Sequence, residues 1–332
     1  MILVVSLNPA LDVSHCVDHA DWAGVNRPAE VHVRPGGKGV NVTRVLGALG
    51  ADVLLTGLVG GTNGNALREQ LSSQGVAADL VDIAGETRRT FAVVDSGRGQ
   101  TALFNEPGPV VTPDEYGRFR VAFIAHLADC TAVVLSGSLP RGLPAGSYAD
   151  LITLAAEAGV PSLLDTSGEA LLLGAAAGPA IVKPNLAELQ AAAARDPATT
   201  HQRSGAPGHA QPWCCDRAAT AASAADVLRD AGAGAVVVTL GSDGLLALTP
   251  EESWHARPTE VNGGNPTGAG DAAAAGLAYG LATGTPWADR AARAAALGAA
   301  AAAAPVAGEI DFDHYRRALA GVQVGSARQP WH

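Results

Sequence analysis

The sequence predicts an α/β fold with a mostly parallel central sheet that helices cover on both faces. Three observations support this prediction: short apolar runs recur along the chain, alanine- and leucine-rich helical stretches separate them, and polar residues end each run. Strands that alternate with helices pair in parallel and are buried on both sides. With 332 residues, of which 48% are hydrophobic, the chain can bury a large core.

The elements follow one another in a regular order. The strand-type runs are ILVVSL, DVLLTGLVG, TAVVLSGSLP, PSLLDTSG, AIVKPN and AVVVTLGSDG. The helical stretches include NVTRVLGALG, NALREQLSSQG, SYADLITLAAEAG and ASAADVLRDAG. Ligands of such sheets bind beyond the carboxyl ends of the strands. The polar residues that end each run are therefore the candidate site residues.

Two regions, about 13–34 and 88–104, break this alternation. They contain the extended segments EVHVR, TFAVVD and QTALF, separated by turn residues. We predict that they form a small antiparallel flap that acts as a lid over the strand ends, with an ordinary surface hairpin as the alternative. Because a small exposed sheet is poorly stable alone, its surface also predicts a homodimer formed through the lid.

A polar segment at about 195–217, RDPATTHQRSGAPGHAQPWCCDR, reads as a loop insertion. It carries His201, His209, Cys214 and Cys215, but adjacent cysteines point apart and no zinc spacing is present. A metal site in this loop is therefore not expected.

Charge and cysteine usage limit the function classes. Lys and Arg number 22 against 32 Asp and Glu, a net charge of −10, which argues against a nucleic-acid partner. No apolar run has the length of a membrane span, and the N-terminus lacks the pattern of a signal peptide. The four cysteines show no CxxC spacing, so we expect a reducing, cytoplasmic location.

The segment NPTGAGD places one carboxylate, Asp271, at the start of a helix-forming run. Two interpretations are open. Aspartate in a first helical turn can cap free N–H groups. Alternatively, it can accept a proton from a substrate held against those same N–H groups.

A second glycine-rich turn, RPGGKGVN, leads into an amphipathic helix, so its amides and the positive helix end can approach an anionic ligand. Lys38 adds a charge and Asn41 can both donate and accept hydrogen bonds. The glycines alone would also fit a tight strand-to-helix turn. The sequence has neither the upstream glycine of a P-loop nor a GxGxxG motif.

Together the two glycine segments resemble the signature sequences of the PfkB or ribokinase-like family of carbohydrate kinases. LNPALD, GGKGVN, GETR, NEPGP, SGSLPRGLP, LDTSGEAL, KPNLAEL, TLGSDG and NPTGAGD occur in that family's order. The resemblance implies a single ribokinase-like domain over 1–332, built as a three-layer α/β/α sandwich with a β-sheet lid. It points to the hexose-phosphate branch, which includes 1-phosphofructokinase and tagatose-6-phosphate kinase.

The resemblance also implies roles for individual residues. Asp271 would be the catalytic base, with a pKa lowered by the helix N-terminus, and the amides of Gly268, Ala269 and Gly270 would bind the transferred phosphoryl group. The sugar would contact Asp12, Gly36, Gly37, Asn41 and Ser138. The phosphate already on the sugar would be bound by Arg88, with Lys38 as the second candidate and Arg27 as the third.

For the nucleotide, the resemblance implicates Lys183, Asn185, Thr239, Gly241 and Gly244. Asn185 and Glu188 form an NxxE pattern that would organise Mg²⁺ through water. Read only as structure, Glu188 would be a first-turn acid that compensates the helix dipole.

The implied reaction is ATP- and Mg²⁺-dependent phosphorylation of a small-molecule ketohexose monophosphate. Fructose 1-phosphate, phosphorylated at O6 to fructose 1,6-bisphosphate, is the first candidate. Tagatose 6-phosphate and fructose 6-phosphate are the next candidates within the enzyme class, and a ribokinase-type enzyme for a neutral sugar or nucleoside is the third alternative there. A sugar-phosphate-binding regulator without catalysis is the alternative from another class.

Overall fold

The computed structural model describes residues 1–195, 216–259, 267–304 and 308–326. The predicted insertion lies almost entirely outside the described residues, as do His201, His209, Cys214 and Cys215. The strands are β1 (Ile2–Ser6), β2 (Ala10–Val17), β3 (Glu30–Gly36), β4 (Val53–Val59), β5 (Ala78–Asp82), β6 (Arg88–Asp95), β7 (Gln100–Asn105), β8 (Ala132–Ser136), β9 (Ser162–Asp165), β10 (Ile181–Val182), β11 (Val236–Thr239), β12 (Leu245–Leu248), β13 (Ser253–Arg257) and β14 (Gln323–Ser326).

The helices in the same ranges are α1 (Lys38–Ala48), α2 (Gly61–Ser73), α3 (Pro113–Leu127), α4 (Ser147–Glu157), α5 (Glu169–Ala176), α6 (Leu186–Ala193), α7 (Asp216–Ala231), α8 (Ala269–Ala282), α9 (Trp287–Ala303) and α10 (Phe312–Gly321). Every strand and helix segment quoted from the sequence is present, with boundaries shifted by a few residues. A short 3₁₀ turn, Gly241–Asp243, follows β11.

Within the described ranges, the central sheet has ten strands in the order β14-β13-β12-β11-β10-β9-β8-β1-β4-β5. Seven neighbouring strands of this sheet are parallel to one another: β11, β10, β9, β8, β1, β4 and β5. At the other side of the sheet, β12, β13 and β14 are joined to β11 by antiparallel pairing. The predicted mostly parallel sheet is therefore confirmed. The carboxyl ends of the parallel strands share one edge, and the loops that leave this edge carry the candidate site residues.

The core consists of two apolar clusters, one on each face of the sheet. In β1 every residue is buried, but Leu3 and Val5 belong to one cluster and Ile2 and Val4 to the other, as strand geometry requires. Helices α3 to α7 pack on the first face, and α1, α2, α8, α9 and α10 on the second. This gives the three-layer α/β/α arrangement that was predicted.

A second sheet, separate from the first, has the strand order β3-β2-β6-β7. Its strands overlap the predicted segments 13–34 and 88–104 and begin a few residues earlier at Ala10. The prediction of a purely antiparallel flap is wrong, because β2 and β6 pair in parallel. The reason is the connection between them: β2 and β6 both leave the edge of the central sheet in the same direction, and a long stretch that includes α1, α2 and β4 lies between them.

None of the helices in the described ranges is long and apolar enough to cross a membrane. Cys16 and Cys130 are free thiols.

Candidate active site

Asp271 lies in the first turn of α8, whose N-cap is Gly268 in the left-handed conformation (φ 88°). The residue is only 7% exposed. Asn41 Nδ2, from α1, donates to Asp271 Oδ2 at 2.8 Å. At least one oxygen of the carboxylate is therefore engaged by a side chain of α1, as a base held for a substrate would be.

Burial changes the acidity of this carboxyl group. Desolvation, followed by the negative charge of Asp165, raises the pKa of Asp271 from 3.8 to about 6, against smaller opposite effects of Lys38, Asn41 and Lys183. The prediction of a lowered pKa is therefore wrong. The helix N-terminus was expected to dominate, but removal of water from a nearly fully buried carboxylate costs more than the helix dipole returns.

The first-turn amides of α8 have no acceptor within their own helix, which leaves them available to an anion. Gly270 belongs to this turn, and a Cβ placed on it would lie 3.7 Å from Lys183 Nζ. Lys183 follows β10 and is itself buried. Free amides and a buried ammonium group thus face the same space beside Asp271.

Asp165, the last residue of β9, is a site residue that the sequence analysis did not identify. It is fully buried, and its Oδ1 accepts from Lys38 Nζ at 3.0 Å, while Lys183 Nζ lies 3.2 Å from Oδ2. Burial alone would raise the pKa of Asp165, but the two lysines outweigh it and hold the pKa below its ordinary value. A carboxylate that ends a strand in LDTSG, at the ligand-binding edge, was the available signal.

Lys38, the first residue of α1, joins two carboxylates. Its Nζ is 3.0 Å from Asp165 Oδ1 and 3.4 Å from Glu188 Oε1. Burial lowers the pKa of Lys38, but Asp165, Glu188 and Asp271 together raise it above its ordinary value. The ammonium group is therefore permanently charged and lies at the carboxylates, whereas the sequence analysis had considered it for the sugar phosphate.

Asn185 and Glu188 form a capping box at the start of α6. Asn185 Oδ1 accepts from the amide of Glu188 at 2.8 Å, and Glu188 Oε2 accepts from the amide of Asn185 at 2.9 Å. The structural interpretation of the NxxE pattern is thus realised with one carboxylate oxygen. The second oxygen, Oε1, faces Lys38.

This donor set also fits Mg²⁺. Oxygens of Asp165 and Glu188 face one point, which the Lys38 ammonium occupies, so two carboxylates are available to a cation at this position. Within the described ranges no group of three or more His, Cys, Asp and Glu side chains forms a metal cage. Mg²⁺ bound with a nucleotide keeps water and phosphate oxygens as most of its ligands, so two carboxylates are sufficient.

The predicted sugar-binding residues lie together at the junction of β2, β3 and α1. Asp12 on β2 is so close to Gly36 that a Cβ at Gly36 would overlap the Asp12 carboxylate. Gly37 takes a φ of 93° and is the N-cap of α1. Burial raises the pKa of Asp12, while Arg34, Thr90 and Arg88 act in the opposite direction. The carboxylate can accept hydroxyl hydrogen bonds in this partly enclosed position.

Arg88, the first residue of β6, donates from Nε to the carbonyl of Asn8 at 3.0 Å and from Nη1 to the carbonyl of Glu106 at 3.3 Å. Burial lowers the pKa of this guanidinium, and Asp12 and Glu106 oppose the effect. Asn8 Nδ2 donates in turn to Ser138 Oγ at 3.1 Å. Asn8 therefore bridges Arg88 and Ser138, and Asp12 is close enough to Arg88 to affect the pKa of its guanidinium. Arg27, the third candidate, is exposed in the loop between β2 and β3.

The predicted nucleotide residues lie at the end of β11. Thr239 pairs with Asn185 in an isolated parallel bridge, which brings the two loops together. Gly241 has a φ of 67° and Gly244 a φ of 81°. Gly244 ends the turn between β11 and β12, and a Cβ on it would overlap the carbonyl oxygen of Ala256 in β13, so the packing of this turn against β13 itself requires a glycine. Thr239 and Gly241 remain open to a ligand.

Comparison with known proteins identifies related chains. The family whose sequence model matches residues 3–311 is described as pfkB family carbohydrate kinase. Phosphofructokinase-2 from Escherichia coli, solved in complex with fructose-6-phosphate, superposes with a TM-score of 0.79 and 26% identity over 96% of this chain and 98% of that chain. The same enzyme in its tetrameric inhibited form gives a TM-score of 0.79 with the same identity and coverage.

A protein from Thermotoga maritima, described as a possible 1-phosphofructokinase, gives a TM-score of 0.81 and 25% identity over 98% of this chain and 99% of that chain. Ribokinase from Arabidopsis thaliana, complexed with ribose and ATP, shares the fold with a TM-score of 0.70 and 19% identity over 96% of this chain and 98% of that chain.

Proposed function

This chain belongs to the pfkB family of carbohydrate kinases and is an ATP-dependent sugar kinase, and we propose that its substrate is a ketohexose monophosphate. Fructose 1-phosphate, converted to fructose 1,6-bisphosphate, is the first candidate because the motifs resemble the 1-phosphofructokinase branch. Fructose 6-phosphate and tagatose 6-phosphate are the alternatives.

The observation that carries the proposal is the environment of Asp271. A buried carboxylate with a pKa of about 6 is held by Asn41 beside the free amides of α8 and the ammonium of Lys183. A base with this pKa is ionised at pH 7 and is a stronger proton acceptor than an ordinary aspartate. Phosphoryl transfer depends mainly on positioning and on charge stabilisation, and these groups supply both.

In the proposed step, the free hydroxyl oxygen of the sugar attacks the γ-phosphorus of ATP as the bond to the bridging oxygen breaks and ADP leaves. Asp271 accepts the hydroxyl proton. The amides of Gly268, Ala269 and Gly270, with Lys183, stabilise the negative charge on the transferred group. Thr239 and Gly241 contact the nucleotide.

Mg²⁺ bound with ATP would neutralise phosphate charge during transfer. Glu188 Oε1 and Asp165 would hold it, directly or through water, while Asn185 fixes the position of Glu188 through the capping box. Lys38, which pairs with the same carboxylates, would then lie close to the phosphates. The sugar would be oriented by Asp12, Gly36, Gly37, Asn41 and Ser138. The phosphate that the sugar carries would be bound by Arg88.

The test is a steady-state assay of ADP release with fructose 1-phosphate, fructose 6-phosphate, tagatose 6-phosphate and the unphosphorylated sugars. We expect kcat/KM to be highest for one of the three sugar phosphates. Asp271→Asn is expected to lower turnover by about 10²- to 10⁴-fold. Asp289→Asn is the matched control, since Asp289 is an exposed acid in the first turn of α9.

Preference for an unphosphorylated sugar would refute the proposed substrate class. Sugar-phosphate binding without ATP turnover in the wild-type protein would support the non-catalytic regulator instead.

We also propose that two copies associate through the small sheet. Its surface exposes Trp22, Val31, Val33, Leu103 and Phe104, each between 45% and 64% accessible. The rings of Trp22 and Phe104 lie 6.4 Å apart, so part of this apolar surface is continuous. Exposed contiguous apolar surface favours association, and the related phosphofructokinase-2 has been solved as a tetramer.

The oligomeric state is measured by analytical ultracentrifugation of wild type and Phe104→Glu. We expect a dimer or larger assembly for the wild type and a shift towards monomer for the variant. Val121→Glu, at a 71% exposed valine of α3, controls for the added charge. An assembly that Phe104→Glu and Val121→Glu leave equally intact would exclude the small sheet as the interface.

A further inference from the structure

A cavity of about 500 Å³ is lined in part by Arg88, one of the predicted substrate-binding residues. Its wall is formed by residues 85–89, which lead into β6, by residues 106–110, which follow β7, by Asn63 at the start of α2, and by Arg141, in the loop after β8. The cavity thus lies between the small sheet and the ligand-binding edge of the central sheet. Its volume is in the range of small-molecule sites.

The cavity is lined by three arginines, Arg88, Arg89 and Arg141, and by two acids, Glu86 and Glu106. These charges are not equivalent, because both acids are already paired. Glu86 accepts from the amides of Thr62 and Asn63 at the start of α2, at 3.2 and 2.6 Å. Amides at a helix N-terminus stabilise a carboxylate, although they do not remove its charge.

Glu106 is paired with one residue. It accepts from the amide of Arg89 at 2.8 Å and from its Nη2 at 3.4 Å, and the Arg89 guanidinium also lies 4.9 Å from the centre of the Phe91 ring. Arg89 is therefore occupied by a carboxylate and an aromatic ring. The positive charge left in the cavity belongs to Arg88 and Arg141.

Both of these guanidinium groups are anchored to the same short segment. Arg88 Nη1 donates to the carbonyl of Glu106 at 3.3 Å, and Arg141 Nε donates to the carbonyl of Gly108 at 3.0 Å. Residues two apart in a chain are separated by at most about 7 Å, so the two guanidiniums lie at neighbouring points of one wall. Backbone carbonyl partners leave most N–H donors of both guanidinium groups available to a ligand. The carboxylates of Asp12 and Glu106 act on the charge of Arg88 from nearby.

A hydrogen-bonded path joins this wall to the sugar site. Asn8 accepts from Arg88 Nε through its carbonyl, and its Nδ2 donates to Ser138 Oγ at 3.1 Å and to the carbonyl of Pro107 at 3.2 Å. Ser138 and Arg141 belong to the same loop. Asn8 therefore links the Arg88 side of the cavity to Ser138, a predicted sugar-binding residue, and the charge of Asp12 acts on Arg88 as well.

We propose that Arg141 is a specificity-determining residue that, together with Arg88, binds the phosphate ester already present on the sugar. This inference rests on the proposed function. The sequence analysis named Arg88 and Lys38 for this task, but the ammonium of Lys38 is paired with Asp165 and Glu188. Two guanidinium groups on one wall provide the planar, charge-assisted donors that a phosphate requires.

The test compares Arg141→Gln with the wild type in steady-state kinetics, using the sugar phosphate that the wild type prefers. We expect the KM for this substrate to rise about 10- to 100-fold, as for the loss of a charge-assisted hydrogen bond. The kcat and the KM for ATP should change by no more than about 2-fold. Arg141→Lys, which keeps the charge but not the fork, should give an intermediate KM.

Arg118→Gln is the matched control. Arg118 is an exposed arginine of α3 that donates to a backbone carbonyl, that of Asp82, at 3.0 Å, as Arg141 does to Gly108, and it lies outside the cavity. The Arg118→Gln variant loses one positive charge, as Arg141→Gln does. We expect wild-type kinetics for this variant.

An unchanged sugar-phosphate KM in Arg141→Gln would overturn the inference while the proposed function stands. Equal losses in Arg141→Gln and Arg118→Gln would overturn it as well, because a general change of charge would explain both. A wild type that phosphorylates no sugar phosphate would instead overturn the proposed function.

Discussion

Replacement of Asp271 by asparagine is expected to stabilise the folded protein while it removes activity. The carboxylate is 7% exposed, and burial with the nearby Asp165 raises its pKa to about 6 from 3.8. A carboxyl group with a raised pKa favours the folded state only while it is protonated. Its contribution to stability is complete below pH 3.8 and is lost as the pH rises through about 6.

The magnitude follows from the two pKa values. At about 1.4 kcal/mol per pKa unit, ionised Asp271 costs the folded state about 3 kcal/mol at pH 8. At pH 5 most of the native molecules carry the proton, and the cost falls to about 1.5 kcal/mol. Asparagine is neutral at both pH values, and its side-chain oxygen can still accept from Asn41. The variant should therefore gain these amounts in its free energy of unfolding.

The measurement is urea denaturation of wild type and Asp271→Asn at pH 8 and pH 5, followed by fluorescence. Asp289→Asn serves as the control, because Asp289 is exposed in the first turn of α9 and is not buried against other charges. This control should be slightly less stable than the wild type, since it loses a favourable charge at a helix N-terminus.

Two results would refute the reasoning. Asp271→Asn could be less stable than the wild type at pH 8, which would mean that the ionised carboxylate is stabilised by its neighbours. An equal gain at pH 8 and pH 5 would show that the effect has no connection with ionisation.

Two further predictions concern catalysis. For the wild type, kcat/KM for the sugar should rise about 10-fold per pH unit below pH 6 and level off above it, because only ionised Asp271 accepts the proton. A midpoint near pH 4 in the pH–rate profile would contradict the raised pKa of Asp271. Glu188→Gln keeps the capping box with Asn185 but loses the charge that faces Lys38. It should raise the Mg²⁺ concentration needed for half-maximal rate by about 10-fold, and an unchanged Mg²⁺ titration would exclude Glu188 from the metal site.

Most of the fold could be predicted from the sequence because its signals are local and repeated. Each predicted strand, from ILVVSL to AVVVTLGSDG, is present at its place in the central sheet. Apolar runs and helical stretches alternate along the chain, and this order alone requires parallel strands with helical crossovers. The small sheet was only partly predicted: its extended segments were found, but not the parallel pairing of β2 with β6.

The identity of the candidate base could also be predicted, because glycines and a single acid mark it in NPTGAGD. The protonation state of this base could not be predicted from the sequence. The sequence shows that Asp271 begins a helix, which suggests a low pKa, but not that Asn41, Asp165 and two lysines surround it at long sequence separation. The same limit explains why Asp165 was missed.

Arg141 shows the division most clearly. In the sequence it is one arginine in SGSLPRGLP, and nothing nearby distinguishes it from Arg118. The sequence by itself determined the order of the elements and the family, because these depend on local patterns, and it proposed the principal site residues. The tertiary structure decided which charges are paired and which remain free, since a charge is neutralised by whatever the fold brings within a few ångströms of it.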